Sequence, residues 1–163
     1  CFYNGKIIVK NVRAGGYILG DEGSGAVLGK HFLSDVLKGL APKEVMADFF
    51  EKFRISPNEV MESVYNRPFP NRFLSTISYF LADYTSDDYV YELIITNLRN
   101  FFTRNVCQYD YKSYPIRFVG SLAYSYAPIL REVAGDFGIE LDVIEETPMN
   151  GLIDFHSLNI EEP

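Results

Sequence analysis

Residues 15–25 read Gly-Gly-Tyr-Ile-Leu-Gly-Asp-Glu-Gly-Ser-Gly, so glycine fills five of these eleven positions. Glycine lets the backbone take positive φ values and lets a ligand approach without a clash against Cβ. An aspartate held in such a loop, here Asp21, can accept charge-assisted hydrogen bonds from two neighbouring hydroxyls of a sugar ring. The same residues can also be explained without a ligand, because Asp21 and Glu22 can simply cap a helix that starts near Ser24.

The glycine-rich loop lacks the patterns that are typical of phosphate-binding loops. Neither GxGxxG nor GxxxxGK[ST] occurs in residues 15–25. Its two carboxylates, Asp21 and Glu22, would repel a phosphate group. If the loop binds a ligand, its residues therefore favour a polyhydroxylated one.

The segments around the loop predict a hairpin and then a run of helices. Two β-rich runs at residues 2–3 and 6–12 are joined by Asn4-Gly5, the dipeptide favoured in type I′ turns. Ser56-Pro57-Asn58-Glu59 has the pattern of a capping box. Apolar periodicity and start signals predict successive helices over residues 26–40, from 42 to about 53, from 57 to 65, over 71–81, and from a cap at Ser86-Asp-Asp to about 107.

The last third of the chain changes to alternating strands and helices. The sequence predicts a strand at 114–119, a tight turn at Gly120-Ser121, one helix over 122–136, a strand at 138–144 and a short helix from 148 to about 158. A strand, helix and strand with short connections form a βαβ unit, which implies a parallel sheet. We therefore predict an α/β fold in which residues 41–110 form an all-helical insertion.

Composition and charge exclude several classes of partner. The formal charge of −7 and the lack of a basic patch predict no nucleic-acid partner. No apolar run approaches the length of a membrane span, so we predict no membrane partner. The 12 Tyr and 13 Phe are expected to fill the core and the helix surfaces, because burial is the usual role of aromatic side chains.

The two cysteines, Cys1 and Cys107, are too few for a disulfide framework and lack the spacing of metal ligands. We expect reduced thiols and a cytoplasmic location. The chain starts at Cys1 instead of Met and reads at once as a strand. We therefore expect it to be one part of a longer polypeptide.

Residues 15–25 resemble the signature of the N-acetylglucosamine kinase family, which is shared by ATPase activators of benzoyl-CoA and hydroxyacyl-CoA dehydratases. Gly120-Ser121-Leu122-Ala123 is similar to the family's adenosine motif, and Pro148 to Leu152 to its C-terminal helix entry. The resemblance spans residues 1–163. It implies the C-terminal half of an actin-like ATPase, with a ribonuclease-H-like fold, whose N-terminal half lies upstream of residue 1.

The resemblance also implies roles for individual residues. Asp21 matches the aspartate that grips sugar hydroxyls, Glu22 stands beside it, and the backbone of Ala14, Gly15 and Gly16 matches contacts to the sugar. Where the eukaryotic sugar kinases carry a Trp and a His, this chain has Gly15 and Tyr17. This departure leaves a polyhydroxylated ligand in place but weakens the case for N-acetylglucosamine itself.

A nucleotide pocket is predicted after the strand at residues 114–119, because α/β sheets bind ligands at the carboxyl ends of their strands. Gly120 would lie against the adenosine, Ser121 would cap the helix and offer a hydroxyl, and Tyr124 would flank the base. Ala82 opens the connection that is expected to close on the nucleotide. The alternative is an ordinary strand-to-helix turn.

The resemblance implies an ATP-dependent carbohydrate kinase that phosphorylates an amino sugar such as N-acetylglucosamine. The catalytic base and the residues associated with Mg²⁺ would come from the missing N-terminal half, so residues 1–163 alone should be inactive. Closure over sugar and ATP would exclude water. An iron–sulfur ATPase activator, a non-catalytic sugar sensor and an interaction domain that forms a homodimer stay open as alternatives.

Overall fold

The computed structural model describes residues 1–158. Within this range the chain divides into two compact units, with the boundary between Tyr111 and Lys112. Each unit is described by itself below. The prediction that residues 1–163 form one domain around a helical insertion stays a prediction.

The first unit contains a strand pair followed by helices. Its elements are β1 (Phe2–Tyr3), β2 (Ile8–Lys10), α1 (Gly16–Leu19), α2 (Gly25–Lys38), α3 (Lys43–Phe53), α4 (Pro57–Tyr65), α5 (Pro70–Leu81), a 3-10 turn (Ala82–Tyr84), α6 (Asp88–Arg104) and a second 3-10 turn (Val106–Gln108). The predicted helices between residues 41 and 110 are confirmed, with shifts at their ends.

The predicted hairpin is confirmed, but its turn differs from the prediction. Strands β1 and β2 pair in antiparallel fashion, with Tyr3 opposite Ile8, so four residues connect them instead of two. The Asn4 side chain accepts hydrogen bonds from the backbone N–H groups of Lys6 and Ile7, each at 3.0 Å. A side-chain turn of this kind competes with the tight two-residue type I′ turn that Asn-Gly suggests.

Helices α2 and α5 pack with almost no space between their backbones. A Cβ atom added at Gly29 of α2 would lie 2.1 Å from the carbonyl oxygen of Leu74 in α5. One added at Gly25 would lie 2.7 Å from the Ser78 Oγ atom. The two glycines are four residues apart and share one face of α2, so this face contacts α5 directly.

Buried aromatic rings fill the space beside this helix pair, as the composition predicts. Phe32 of α2 packs edge-on against Phe49 of α3, with ring centroids 5.5 Å apart, and Phe80 of α5 lies 5.8 Å from Phe49. All three side chains are fully buried. Aromatic pairs at these distances add stabilisation beyond the area that they bury.

The starts of α4 and α6 show how local signals set helix boundaries. The predicted capping box is present, because the Ser56 side chain accepts from the Glu59 N–H while the Glu59 carboxylate accepts from the Ser56 N–H. At α6 the cap predicted within Ser86-Asp-Asp is confirmed, and the structure assigns it to Asp87. The Asp87 side chain accepts from the Val90 N–H at 3.1 Å and takes the capping position.

The second unit contains β3 (Ile116–Val119), α7 (Ser121–Ser125), α8 (Ala127–Asp136), β4 (Leu141–Glu145) and α9 (Met149–Leu158). Strands β3 and β4 pair in parallel, which confirms the predicted βαβ unit. The single helix predicted over residues 122–136 is wrong, since the chain breaks at Tyr126. Pro128 has no N–H to donate to the residue four positions earlier, which explains the break.

Strand β4 begins later than predicted. Gly138 has a φ of 70° and donates its N–H to Gly135, while the Ile139 N–H donates to Ala134. These bonds satisfy carbonyl groups at the end of α8. Residues 138 and 139 therefore complete the helix, and β4 starts only at Leu141.

Candidate functional site

The glycine-rich loop is folded back on itself by backbone hydrogen bonds. The Asp21 N–H donates to the carbonyl of Ala14 at 2.9 Å, and the Gly20 N–H donates to Gly16 at 2.9 Å. A Cβ at Gly20 would lie 2.1 Å from the Ala14 oxygen, so only glycine fits this closure. Between the two ends, Gly16–Leu19 forms the one-turn helix α1, where the sequence predicts a loop.

Asp21 has a left-handed backbone conformation, with a φ of 68°. Such a φ is uncommon for residues other than glycine, although Asp and Asn adopt it more readily than most. The cap of α2 is Ser24, whose Oγ accepts from the Val27 N–H at 3.2 Å. Within residues 1–158 the Asp21 carboxylate makes no hydrogen bond or ion pair. Its alternative role as the helix cap is therefore ruled out.

A cavity of about 270 Å³ lies against the loop. Three of the predicted sugar-contacting residues, Ala14, Gly15 and Glu22, line it, while Asp21 and Gly16 are not among its lining residues. The remaining lining residues come from the loop, from its entry, from the end of α6 and from the turn after it: Val12, Arg13, Leu19, Gly20, Arg104, Asn105 and Gln108. The cavity thus combines exposed backbone with charged and amide side chains.

Two of the residues that line this cavity, Glu22 and Arg104, form an ion pair. The Arg104 Nε atom lies 2.8 Å from a carboxylate oxygen of Glu22. The Glu22 side chain is only 15% exposed, whereas that of Arg104 is 64% exposed. A ligand contact of Glu22, as predicted, would therefore compete with this ion pair. The sequence did not predict the ion pair.

A second contact from α6 holds the loop. The Asn97 Oδ1 atom accepts from the Gly23 N–H at 3.1 Å, and its Nδ2 atom donates to the Ser24 carbonyl at 3.2 Å. Asn97 is 4% exposed, and the two bonds satisfy both ends of its buried amide. Sequence analysis missed Asn97, because a single polar residue inside an amphipathic helix carries no local signal of its role.

The entry to the loop is also fixed from the C-terminal side of α6. The Lys10 Nζ atom donates to the Gln108 carbonyl at 2.6 Å, and the Val12 N–H donates to the Tyr109 hydroxyl at 2.9 Å. Residues 10–24 therefore lie along the second half of α6 and the turn that follows it.

The predicted nucleotide residues lie in both units. In the second unit Gly120, with a φ of 142°, follows β3 and donates its N–H to Glu145 at 2.8 Å. Gly120 itself holds the helix N-cap position, so the predicted cap at Ser121 is wrong and Ser121 is the first residue of α7. Tyr124 is 53% exposed. In the first unit Ala82 begins the 3-10 turn after α5.

The backbone at Gly120 leaves room for a ligand. Among residues 1–158 no atom lies within 4 Å of a Cβ built on Gly120, so these residues leave that side of the turn open. The turn stands at the carboxyl end of a parallel strand, the position at which α/β sheets bind ligands. The binding of adenosine by Gly120 and Tyr124 stays a prediction.

His31 lies in a separate surface cavity of the first unit with Tyr89, Glu92 and Asn97 among its lining residues. Partial burial and the nearby Lys30 lower the pKa of His31. Across residues 1–158 no three His, Cys, Asp or Glu side chains gather in a way that could hold a metal ion. In the same range no helix has the length and apolar character needed to cross a membrane.

A solved structure from Porphyromonas gingivalis, named "Putative N-acetylglucosamine Kinase", is similar to this chain. The two share 40% sequence identity and superpose with a TM-score of 0.94. The match covers 98% of this chain and 56% of that chain, so this chain spans a little over half the length of that protein. No protein-family model and no curated protein matches the sequence.

Proposed function

We propose that this chain is the C-terminal part of an ATP-dependent sugar kinase of the N-acetylglucosamine kinase family. Its substrate is an amino sugar such as N-acetylglucosamine. The observation that carries the proposal is the 40% identity over 98% of the chain to a protein of that name. The match spans the glycine-rich loop, in which the Asp21 N–H donates to the Ala14 carbonyl and the Asp21 carboxylate has no partner among residues 1–158.

In this proposal the chain's own residues bind and orient the two substrates. The Asp21 carboxylate accepts hydrogen bonds from sugar hydroxyls, and the backbone of residues 14–16 contacts the sugar, with Glu22 beside it. In the second unit Gly120, Ser121 and Tyr124 hold the adenosine of ATP. Ala82, in the first unit, is a further nucleotide-binding residue of this proposal. Phosphoryl transfer depends mainly on positioning and charge stabilisation, which such contacts supply.

ATP and Mg²⁺ are the cofactors that this function requires. Mg²⁺ supplies neutralisation of phosphate charge. The N-terminal part of the longer protein would supply the catalytic base and most of the residues around the ion. A homodimer formed through the helical insertion, at residues 41–110, is a further prediction.

The proposal is tested by a coupled kinase assay on the full-length protein that contains this chain, against a panel of amino sugars. Asp21→Asn is the informative variant, because Asn removes the charge but tolerates the left-handed backbone at this position. Losing charge-assisted hydrogen bonds should raise the KM for the sugar at least about tenfold. Asp88→Asn, at an exposed aspartate in the first turn of α6, is the matched control and should leave the KM unchanged.

The possible results separate the alternatives. Sugar-dependent ADP release that falls in Asp21→Asn and not in Asp88→Asn supports the kinase. Sugar binding without ADP release indicates a sugar sensor. ATP hydrolysis that ignores sugar, together with iron and sulfide in the purified protein, indicates an ATPase activator.

A further inference from the structure

Three residues of α6 contact three consecutive residues of the glycine-rich loop. Asn97 bonds to Gly23 and Ser24, and Arg104 pairs with Glu22. Between them, Phe101 lies so close to Gly23 that a Cβ added there would come within 2.7 Å of the Phe101 Cβ atom. We call Asn97, Phe101 and Arg104 the α6 stripe.

The spacing of the α6 stripe places its members on one face of the helix, since residues four and seven positions apart align along an α-helix. The three contacts differ in chemistry: a buried amide, an aromatic ring and an exposed guanidinium. The two Asn97 hydrogen bonds involve Gly23, two residues after Asp21, and Ser24, whose N–H donates to the Asp21 carbonyl at 3.0 Å. These contacts connect α6 to the backbone of Asp21 through Ser24.

We propose that Asn97 is a positioning residue for substrate binding, and that the α6 stripe sets the conformation in which the loop presents Asp21. The sugar role of Asp21 in this inference rests on the proposed function. Asn97 itself acts through Gly23 and Ser24, and so through the backbone of the loop. Because α6 belongs to the helical insertion, a conformational change in that insertion would alter the conformation of the glycine-rich loop through these contacts.

Two features make Asn97 the most sensitive member of the stripe. Its amide is buried, so a broken bond leaves the Gly23 N–H or the Ser24 carbonyl without its partner in a region shielded from water. Its two bonds also run in opposite directions, one accepted and one donated, which only an amide of this length provides. An aspartate of the same shape keeps the first bond and turns the second contact into repulsion between two oxygens.

The test uses Asn97→Asp and Asn97→Ser in the full-length protein that contains this chain. The matched controls are Asn100→Asp and Asn100→Ser, the same changes at an exposed position on the same helix. The affinity for N-acetylglucosamine and the affinity for ATP are measured separately by calorimetry. Circular dichroism and Tm establish that each variant is folded, and the Ser variants serve if Asn97→Asp does not fold.

We expect the Asn97 variants to bind the sugar about tenfold or more weakly while the affinity for ATP stays within twofold of the wild type. The Asn100 variants should match the wild type in both. If a folded Asn97 variant binds sugar as the wild type does, or loses sugar and ATP affinity in equal measure, the positioning role is overturned. If the wild type binds no sugar, the proposed function fails, and the positioning role fails with it.

Hydrogen exchange separates a failure of the positioning role from a failure of the proposed function, because it reports on the loop even when no sugar binds. If the stripe fixes the loop, the Gly23 amide in the Asn97 variants exchanges faster than in the Asn100 variants, whether or not sugar binds. Unchanged Gly23 exchange overturns the structural step of the inference. Faster exchange together with wild-type sugar affinity overturns only the link to the substrate.

Discussion

The substitution Gly29→Ala tests the close contact between α2 and α5. The Ala Cβ would meet the Leu74 carbonyl oxygen at 2.1 Å and the Ile77 Cβ at 3.2 Å. Real Cβ contacts under 3.0 Å essentially never occur, so α2 and α5 would have to separate by almost 1 Å at this point. The obstacle is backbone, which cannot rotate away as a flexible side chain can.

The expected magnitude follows from two opposing effects. Overpacking a buried contact costs about 1–3 kcal/mol, and a backbone obstacle belongs at the upper end. Replacing Gly by Ala inside a helix recovers about 1 kcal/mol of helix propensity. The net result is a free energy of unfolding that is lower by about 2 kcal/mol.

Gly135→Ala is the matched control for this measurement. Gly135 is also helical, in α8, but nothing lies within 4 Å of a Cβ added there. The same substitution should therefore stabilise the chain, by about 0.5–1 kcal/mol. Urea unfolding followed by circular dichroism at the helix band measures both. A Gly29→Ala variant that is as stable as the wild type would refute the close contact between α2 and α5.

Two further predictions concern single side chains. Burial and the 2.8 Å hydrogen bond to Asp35 raise the pKa of Tyr89, so above about pH 10 the unfolded phenol ionises while the folded one stays protonated. Stability should therefore fall as pH rises through this range, and Tyr89→Phe should reduce that fall in urea unfolding at pH 9 and 11. Asp87→Ala should cost about 1 kcal/mol by removing the α6 cap, whereas Ser86→Ala should change thermal stability little. Equal losses for the two would show that the cap is assigned to the wrong residue.

Much of the secondary structure could be predicted because its signals are local. The capping box at Ser56 and the glycine that ends α2 at Gly39 depend on residues within one turn of each other. The sequence is less decisive where two local signals compete. At α6 adjacent Ser86 and Asp87 are both good caps, and in the second unit the proline at position 128 interrupts an otherwise continuous apolar pattern.

The candidate site was predicted only in part. Glycine density marked the loop and Asp21, and the resemblance to a kinase family gave these residues a role. The roles of Asp21, Gly120 and Tyr124 stay predictions until ligand binding is measured. The sequence did not predict the contacts of Arg104 and Asn97 to the loop, because these contacts depend on how α6 packs.

By itself, the sequence determined that most of the helices, the antiparallel strand pair and the loop that carries Asp21 exist, because these depend on backbone preferences and hydrogen bonds within a few residues. Only the tertiary structure decided what holds that loop. Asn97 reaches its partners across 73 and 74 residues of chain, and Gly29 meets Leu74 through helix packing. Contacts of this kind arise when buried faces of distant helices come together, and no local pattern encodes which residues will meet.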